Sequence, residues 1–223
     1  ERVMLFKIGV LIYGYFAGAL IQAGYWMGKF NKIDIRDYGS GNAGTTNVMR
    51  TLGKKAGIAT YLLDAFKAVI ADILIHFLIV PHTAIPEMLL FLYCGLGIVL
   101  GHNFPFYLKF KGGKGIAASS GVVISLMIFP KYCFMFTVFG IFFFAFVARI
   151  SRYVSLASLI GMAMFFVEFL IWGFLGWLPL NGTDLVEGTV IVFALAALAF
   201  IRHRSNIVRL VHGTERKIGE KKN

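Results

Sequence analysis

Charge is scarce in this chain, and acid is scarcer than base. Of 223 residues only 15% are charged, with 11 Asp plus Glu against 22 Lys plus Arg. Soluble domains carry about 25% charge. A chain that is 58% hydrophobic, with a mean hydropathy of +0.77, is therefore no ordinary soluble domain, although its length would suit one. The shortage of carboxylates in the polar stretches argues against a Mg²⁺ site, which wants several hard oxygen ligands. Cysteine is nearly absent too. Cys94 and Cys133 fall in different apolar segments, so they read as buried free thiols and not as a disulfide. No zinc-ligand spacing exists.

What is present is a series of apolar segments. Uncharged stretches run over 8–28, 88–108, 115–130 and 132–148. Two more are interrupted by few charges: 56–80 carries Asp64, Lys67 and Asp72, and 153–178 carries Glu168. A shorter one covers 188–201. A membrane span takes about 20 residues, so the expectation is an all-α, polytopic integral membrane helical bundle of about seven transmembrane helices. Five or six spans with re-entrant pieces is the alternative for the short fourth and seventh segments. The first segment is too long for a signal peptide and lacks a small-residue cleavage site after it.

Basic residues orient the bundle. With the N-terminus outside, the inner segments 29–55, 109–114, 149–152 and 202–223 hold six, three, two and seven Lys plus Arg. The outer ones hold only Arg2 and Lys131; Lys7 and Lys67 lie within spans. The expectation is an outside N-terminus, a cytoplasmic C-terminus and one domain over 1–223. The net charge of +11 then follows from topology and attraction to an anionic inner leaflet, and no nucleic-acid role is needed.

Polar residues gather in the inner segments, where membrane proteins place them for use. The run Ser40-Gly41-Asn42-Ala43-Gly44-Thr45-Thr46-Asn47 has five hydroxyl or amide side chains and two glycines in eight residues. Glycines let several N–H groups converge on an anion, and Arg50 can fork two donors onto a phosphate. The plainer reading is a solvated turn before a helix, which would not need so many donors. The stretch 109–115, KFKGGKG, is not a Walker A loop, because it lacks that spacing and a preceding strand. Gly112, Gly113 and Gly115 permit close backbone approach, Lys114 supplies charge, and the following IAASSG begins a helix whose N-terminus attracts anions. A positive-inside anchor would explain these lysines but not the glycines.

In the tail, FIRHRSNIVRLVHGTERK over 200–217, a continuous helix would put His203, Asn206 and Ile207 on one face, and Arg202 with Arg209 on one face. The plainer reading is a basic amphipathic segment on the membrane surface. Glu215 has Arg and Lys nearby to pair with. Ser151, with Arg152 and Tyr153, adds an inner-side cluster before the sixth span. Asp64 and Lys67, three apart, form an ion pair that is open to two readings, a structural pair or a wall of the site.

Three anion-suited loops on one membrane face suggest one shared site for a substrate with a phosphate head and a fatty tail. The motifs GSGNAGTTN followed by Arg50, GHNFPFYLKFKGGKGIA, SRYVSLASL and RHRSNIVRLVHGTERK resemble, in order and spacing, those of the bacterial acyl-phosphate:glycerol-3-phosphate acyltransferases, the PlsY family. Thr45, Ala118 and Ala68 stand where that family usually has Ala, Thr and Gly, and none of these changes removes a charged or nucleophilic group.

The resemblance implies transfer of a fatty acyl group from acyl phosphate to the 1-hydroxyl of glycerol 3-phosphate, without a cofactor. It implies a multi-pass protein of the bacterial inner membrane whose active site faces the cytoplasm. An acyl-carrier-protein:phosphate acyltransferase would be its functional partner. Ser40, Arg50, His203 and Asn206 are then the catalytic candidates. Gly41, Asn42, Thr46, Asn47, Lys67, His102, Gly112, Gly113, Lys114, Gly115, Ser151, Arg202 and Glu215 are the substrate-binding candidates, with Glu215 chiefly structural. Neither His102 nor His203 has an aspartate four or five residues on, which excludes the H-x-x-x-x-D acyltransferases as a guide. Direct attack on the activated donor is expected, with Ser40 lacking a neighbouring base for a covalent route. His203 stays open as base, orienter or structural residue. The rival from another class is an organic-phosphate transporter, which would place polar groups near mid-membrane and often show internal repeats; neither feature is found.

Overall fold

The structure, a computed structural model, describes residues 2–220. Every regular element among them is helical. Four helical stretches are long and apolar enough to cross a membrane: Arg2–Phe30, Glu87–Leu108, Val154–Phe174 and Gly182–Arg202. Ile116–Ile128 and Met135–Ser151 are shorter apolar helices. The architecture is an all-α, multi-pass membrane bundle, and it separates into two compact units, Glu1–Ser125 and Leu126–Asn223.

In the first unit the leading apolar segment is broken. An uninterrupted span over 8–28 is expected from composition, yet α1 (Arg2–Leu20) ends before Ile21 and Gln22, and α2 (Ala23–Phe30) starts anew. The loop that follows leads into α3 (Thr45–Leu52) and α4 (Lys54–Leu78). Next come α5 (Glu87–Asn103), the glycine loop, and α6 (Ile116–Ser125).

Small residues decide how these helices meet. Gly14 and Gly18 lie one turn apart on α1, and Gly97 and Gly101 one turn apart on α5. A methyl group at Gly14 or Gly18 would overlap the Cys94 or Ile98 carbonyl. A methyl at Gly97 or Gly101 would overlap the Leu11 or Tyr15 carbonyl. The two helices are therefore in backbone-to-backbone contact and run parallel, residue 18 beside 98. Between apolar helices in lipid there is little hydrophobic drive to associate, so close packing over small residues supplies the attraction. Gly121 repeats the device, seating α6 on the Ala65 carbonyl of α4. Helix α4 is 25 residues long, but Asp64, Lys67 and Asp72 interrupt its apolar character; all three are buried.

The second unit contains α7 (Met135–Ser151), α8 (Val154–Phe174), α9 (Gly182–Arg202) and the short α10 (Arg204–Val211). Its core is aromatic. Phe136 of α7 lies 5.5 Å from Phe165, 6.1 Å from Phe169 and 5.7 Å from Trp172 of α8, between ring centroids. The Trp172 indole N–H donates to the Tyr132 carbonyl at 3.0 Å, so its one polar atom is satisfied. Cys94 and Cys133 are buried free thiols, as expected from their placement.

Candidate active site

The donor-rich loop is built around Asn47. This residue is buried on the first turn of α3. Its Nδ2 donates to the Ile35 and Tyr38 carbonyls, both at 2.9 Å, and its Oδ1 accepts from the Ser40 amide at 2.8 Å. Asn47 thus spends its amide on shaping the loop. Gly41, at φ +69°, turns the chain and donates to the Tyr38 carbonyl at 3.0 Å. The outcome leaves Ser40 exposed, with Asn42 and Thr46 half-buried. Thr46 and Arg50 are one turn apart on α3, and Arg50 is exposed. A small apolar cluster of Ile35, Ala43 and Val48 anchors the loop from beneath.

An element that the sequence reading passed over ties this loop to the next. Arg36 pairs with Asp34 at 2.7 Å, stacks 5.3 Å from the Tyr25 ring centre, and donates to the Leu108 carbonyl at 3.4 Å. The Arg36 hydrogen bonds hold the Asp34 carboxyl down to about 2. The Asp-x-Arg spacing was the available signal. Leu108 immediately precedes the glycine loop.

That loop folds back on the end of α5. Gly112 N donates to the Asn103 carbonyl at 3.2 Å and Gly113 N to the His102 carbonyl at 3.1 Å. A methyl at Gly112 would overlap the His102 carbonyl, and one at Gly113 would overlap His102 Nε2. These two glycines are thus required first by packing within the chain. Gly115, at φ +85°, sits against Asn103 Oδ1 and starts α6, whose first N–H groups have no carbonyl behind them in the helix. Lys114, half-buried, stands just before this helix start. Asn103 was also missed: it is fully buried beside Gly115, and its amide atoms have no hydrogen-bond partner among the described residues.

Lys67 and His102 meet directly, with Nζ 2.8 Å from Nδ1. The Lys67 ammonium is also 3.0 Å from Asp64 Oδ1, 2.7 Å from the Ile21 carbonyl and 3.3 Å from the Gly18 carbonyl. An ammonium can only donate, so His102 Nδ1 accepts and Nε2 carries the ring's proton toward Gly113. Lys67 has three donors, and its neighbours within the chain account for them.

In the second unit, His203 does not continue the preceding helix. It stands at the joint between α9 and α10, so Arg202 and Arg209 lie on different helices and share no continuous face, unlike the sequence expectation. The carbonyl of Ala199 lies 2.8 Å from His203 Nδ1, which must donate to it, so in the neutral ring Nε2 is the acceptor. Asn206 and Glu215 come together: Asn206 Nδ2 donates to Glu215 Oε1 at 2.6 Å, Ser155 Oγ to the same oxygen at 2.7 Å, and Arg209 Nε to Oε2 at 2.7 Å. Burial pushes the Glu215 carboxyl up, and these three hydrogen bonds more than offset it, holding it below the usual glutamate range. Glu215 therefore braces α8 and α10, in keeping with a structural role. Ser151 Oγ is employed locally: it donates to the Val147 carbonyl at 2.7 Å and accepts from Tyr153 N at 3.1 Å, shaping the turn between α7 and α8. Arg202 is half-buried at the end of α9.

Residues 8–213, which contain all of these features except Glu215, match the family model described as glycerol-3-phosphate acyltransferase. The chain belongs to the glycerol-3-phosphate acyltransferase family. A glycerol-3-phosphate acyltransferase of Thermoanaerobacter pseudethanolicus is 39% identical over 218 residues, covering 97% of this chain and 98% of the relative. One of Streptococcus pneumoniae (strain Taiwan19F-14) is 39% identical over 215 residues, covering 95% and 92%. Among solved structures, PlsY (YgiH), an integral membrane glycerol 3-phosphate acyltransferase, is similar in its glycerol 3-phosphate form with a TM-score of 0.76 and 29% identity, covering 98% of this chain and 96% of the other. Its lysophosphatidic acid form gives a TM-score of 0.77 at 30% identity, covering 96% and 95%. The glycerol-3-phosphate acyltransferase fold thus extends over nearly all of this chain.

Proposed function

We propose that the protein transfers a fatty acyl group from acyl phosphate to the 1-hydroxyl of sn-glycerol 3-phosphate. The observation that carries this reading is the likeness, over nearly the whole chain, to PlsY in its glycerol 3-phosphate and lysophosphatidic acid forms. The hydroxyl oxygen attacks the acyl carbon, an ester bond forms, and the acyl–oxygen bond to phosphate breaks. The hydroxyl proton passes to the departing phosphate or to the phosphate of bound substrate. The products are 1-acyl-glycerol 3-phosphate and inorganic phosphate, in the first acylation of bacterial phospholipid synthesis. Acyl phosphate is already activated, so positioning and charge stabilisation suffice, and the reaction as drawn uses no metal or cofactor. An acyl-carrier-protein:phosphate acyltransferase would supply the donor.

Ser40 and Arg50 are the proposed essential groups of the first loop. Lys114 and the helix start after Gly115 offer charge and N–H groups to glycerol 3-phosphate. His203, whose Nε2 is the acceptor in the neutral ring, is the competing general base, and Asn206 assists. The whole of 1–223 serves as one acyltransferase domain.

Seven spans, with the N-terminus outside and the C-terminus and active site on the cytoplasmic side, complete the proposal. A helix lies at each of the seven apolar segments. The parallel course of α1 and α5 calls for a return crossing between them, and α4 is long enough to make it. Eighteen of the 22 Lys plus Arg fall on the proposed inner side.

The test offers purified protein labelled glycerol 3-phosphate with palmitoyl phosphate or palmitoyl-CoA, beside a Ser40→Ala control. Labelled lysophosphatidic acid formed from the acyl phosphate alone, and lost in the variant, is the expected result. No product from either donor, with the fold intact, would overturn the acyltransferase reading.

A further inference from the structure

We infer that Asp64, acting with Lys67 and Gln22, is a positioning residue for the Ser40 loop: it pins the start of α2 at the break in the first apolar helix, and α2 carries the loop. The inference rests on the acyltransferase reading above.

A helix interrupted among apolar neighbours leaves carbonyls unsatisfied at one end and N–H groups at the other. Its ends also carry opposite partial charges, negative at the C-terminus and positive at the N-terminus. The Asp64–Lys67 pair of α4 matches both. Lys67, the cation, reaches the Gly18 and Ile21 carbonyls at 3.3 and 2.7 Å, at the C-terminal end of α1. Asp64, the anion, accepts from Ala23 N at 3.4 Å, at the N-terminal end of α2. The two side chains are 3.0 Å apart and each is 1% exposed, so neither is screened by water. Gln22 completes the knot: its Nε2 donates to the Gly18 carbonyl at 3.2 Å and, on α5, to the His102 carbonyl at 2.9 Å.

From there the link to the loop is steric. Gly24 and Gly28 lie one turn apart on α2. The Ala43 carbonyl rests against Gly24 so closely that a methyl would overlap it, and Ile35 N lies 3.0 Å from where a Gly28 Cβ would sit. Ile35 and Ala43 flank Ser40 on its two sides. A shift of α2 therefore moves both ends of the segment that presents Ser40, with no need for contact between Asp64 and substrate.

The polarity of the pair separates positioning from simple cohesion. An ion pair that only glues helices together would tolerate an exchange of its members. Here the exchange would put a carboxylate against carbonyls and an ammonium against N–H. The experiment uses the full-length protein in detergent and compares Asp64→Asn, the exchanged pair Asp64→Lys with Lys67→Asp, and Gly24→Ala, which leaves the pair intact and wedges α2 off the loop. It measures kcat and KM with acyl phosphate and glycerol 3-phosphate, amide hydrogen exchange at Ser40, and thermal unfolding.

The expected result is loss of Ser40 amide protection in all three variants. In those that melt like the wild type, kcat/KM falls about a hundredfold, the scale of a misplacement of about 1 Å. Wild-type protection and kinetics in a folded Asp64→Asn variant, or recovery in the exchanged pair, would overturn the inference. If Asp64→Asn does not fold, Gly24→Ala decides, and retained Ser40 protection there overturns the inference equally. Failure of the wild type to form lysophosphatidic acid would sink the acyltransferase reading, while the exchange measurement would still decide the α2 linkage.

Discussion

Asn47 offers the clearest quantitative test of the loop. Its side chain makes three hydrogen bonds, two as donor to the Ile35 and Tyr38 carbonyls and one as acceptor from the Ser40 amide. A net contribution of about 1 kcal/mol each gives roughly 3 kcal/mol holding the loop in shape. Each 1.36 kcal/mol corresponds to about a tenfold change in rate, so Asn47→Ala should lower kcat/KM about a hundredfold if activity needs the ordered loop. Asn47→Asp is the sharper probe. It is nearly isosteric and keeps the acceptor for Ser40, but it turns a donor of two hydrogen bonds into an oxygen facing two carbonyls. We expect it to lose at least as much activity as the alanine variant at pH 7. The assay is phosphate release from acyl phosphate in the presence of glycerol 3-phosphate, with thermal unfolding to confirm the fold. An Asn47→Asp enzyme within about threefold of wild type would refute the claim that these hydrogen bonds set the active loop.

Other expectations rest on separate features. Gly113→Ala should abolish activity, because a methyl would overlap His102 Nε2, whereas Gly140→Ala, where nothing lies within 4 Å, should be neutral or stabilise by up to about 1 kcal/mol; paired kinetics and melting curves check both. Gly18→Val should prevent α1 from docking on α5 and show as aggregation in detergent size-exclusion chromatography, while Gly9→Val, facing open space, should elute as the wild type does. Glu215 is held below the ordinary glutamate range in the folded chain, so its contribution to stability is present above about pH 4.3 and is lost as pH falls through the folded value. Melting temperature measured from pH 7 to pH 3 should lose that component in Glu215→Gln; an unchanged pH profile would refute the bracing role. Incubation with acyl phosphate followed by hydroxylamine should release no acyl group from Ser40; a trapped acyl-protein would replace direct transfer with a covalent route.

Much of this was legible in the residues because membrane chains separate polar from apolar so strongly. Long apolar stretches located the helices, and the helix start after Gly115 was readable from the small residues that follow it. The break at Ile21–Gln22 was not readable, because an apolar run carries no sign of interruption when its cure, Asp64 with Lys67, sits some forty residues away. The four glycines that join α1 to α5 carry a small-xxx-small pattern in each helix, but hydropathy counting is blind to it. At the candidate site, side-chain type suggested donors without saying where they point. Asn47 turned out to hold the chain itself together, and the kink at His203 separated Arg202 from Arg209.

The broken first helix also fixes a depth. At 1.5 Å per residue, α1 is about 28 Å long and α5 about 25 Å, each close to the thickness of the hydrocarbon layer, about 30 Å. Because the glycine contacts hold the two helices parallel and in register, their C-terminal ends lie within a turn of the same level, where Gln22 meets the His102 carbonyl. On the proposed topology Gln22, Asp64, Lys67 and His102 therefore gather beside the inner ends of α1 and α5. On that topology a water-soluble polyol phosphate would come to these helix ends from the inner side, and a fatty donor would come to them along the apolar helices.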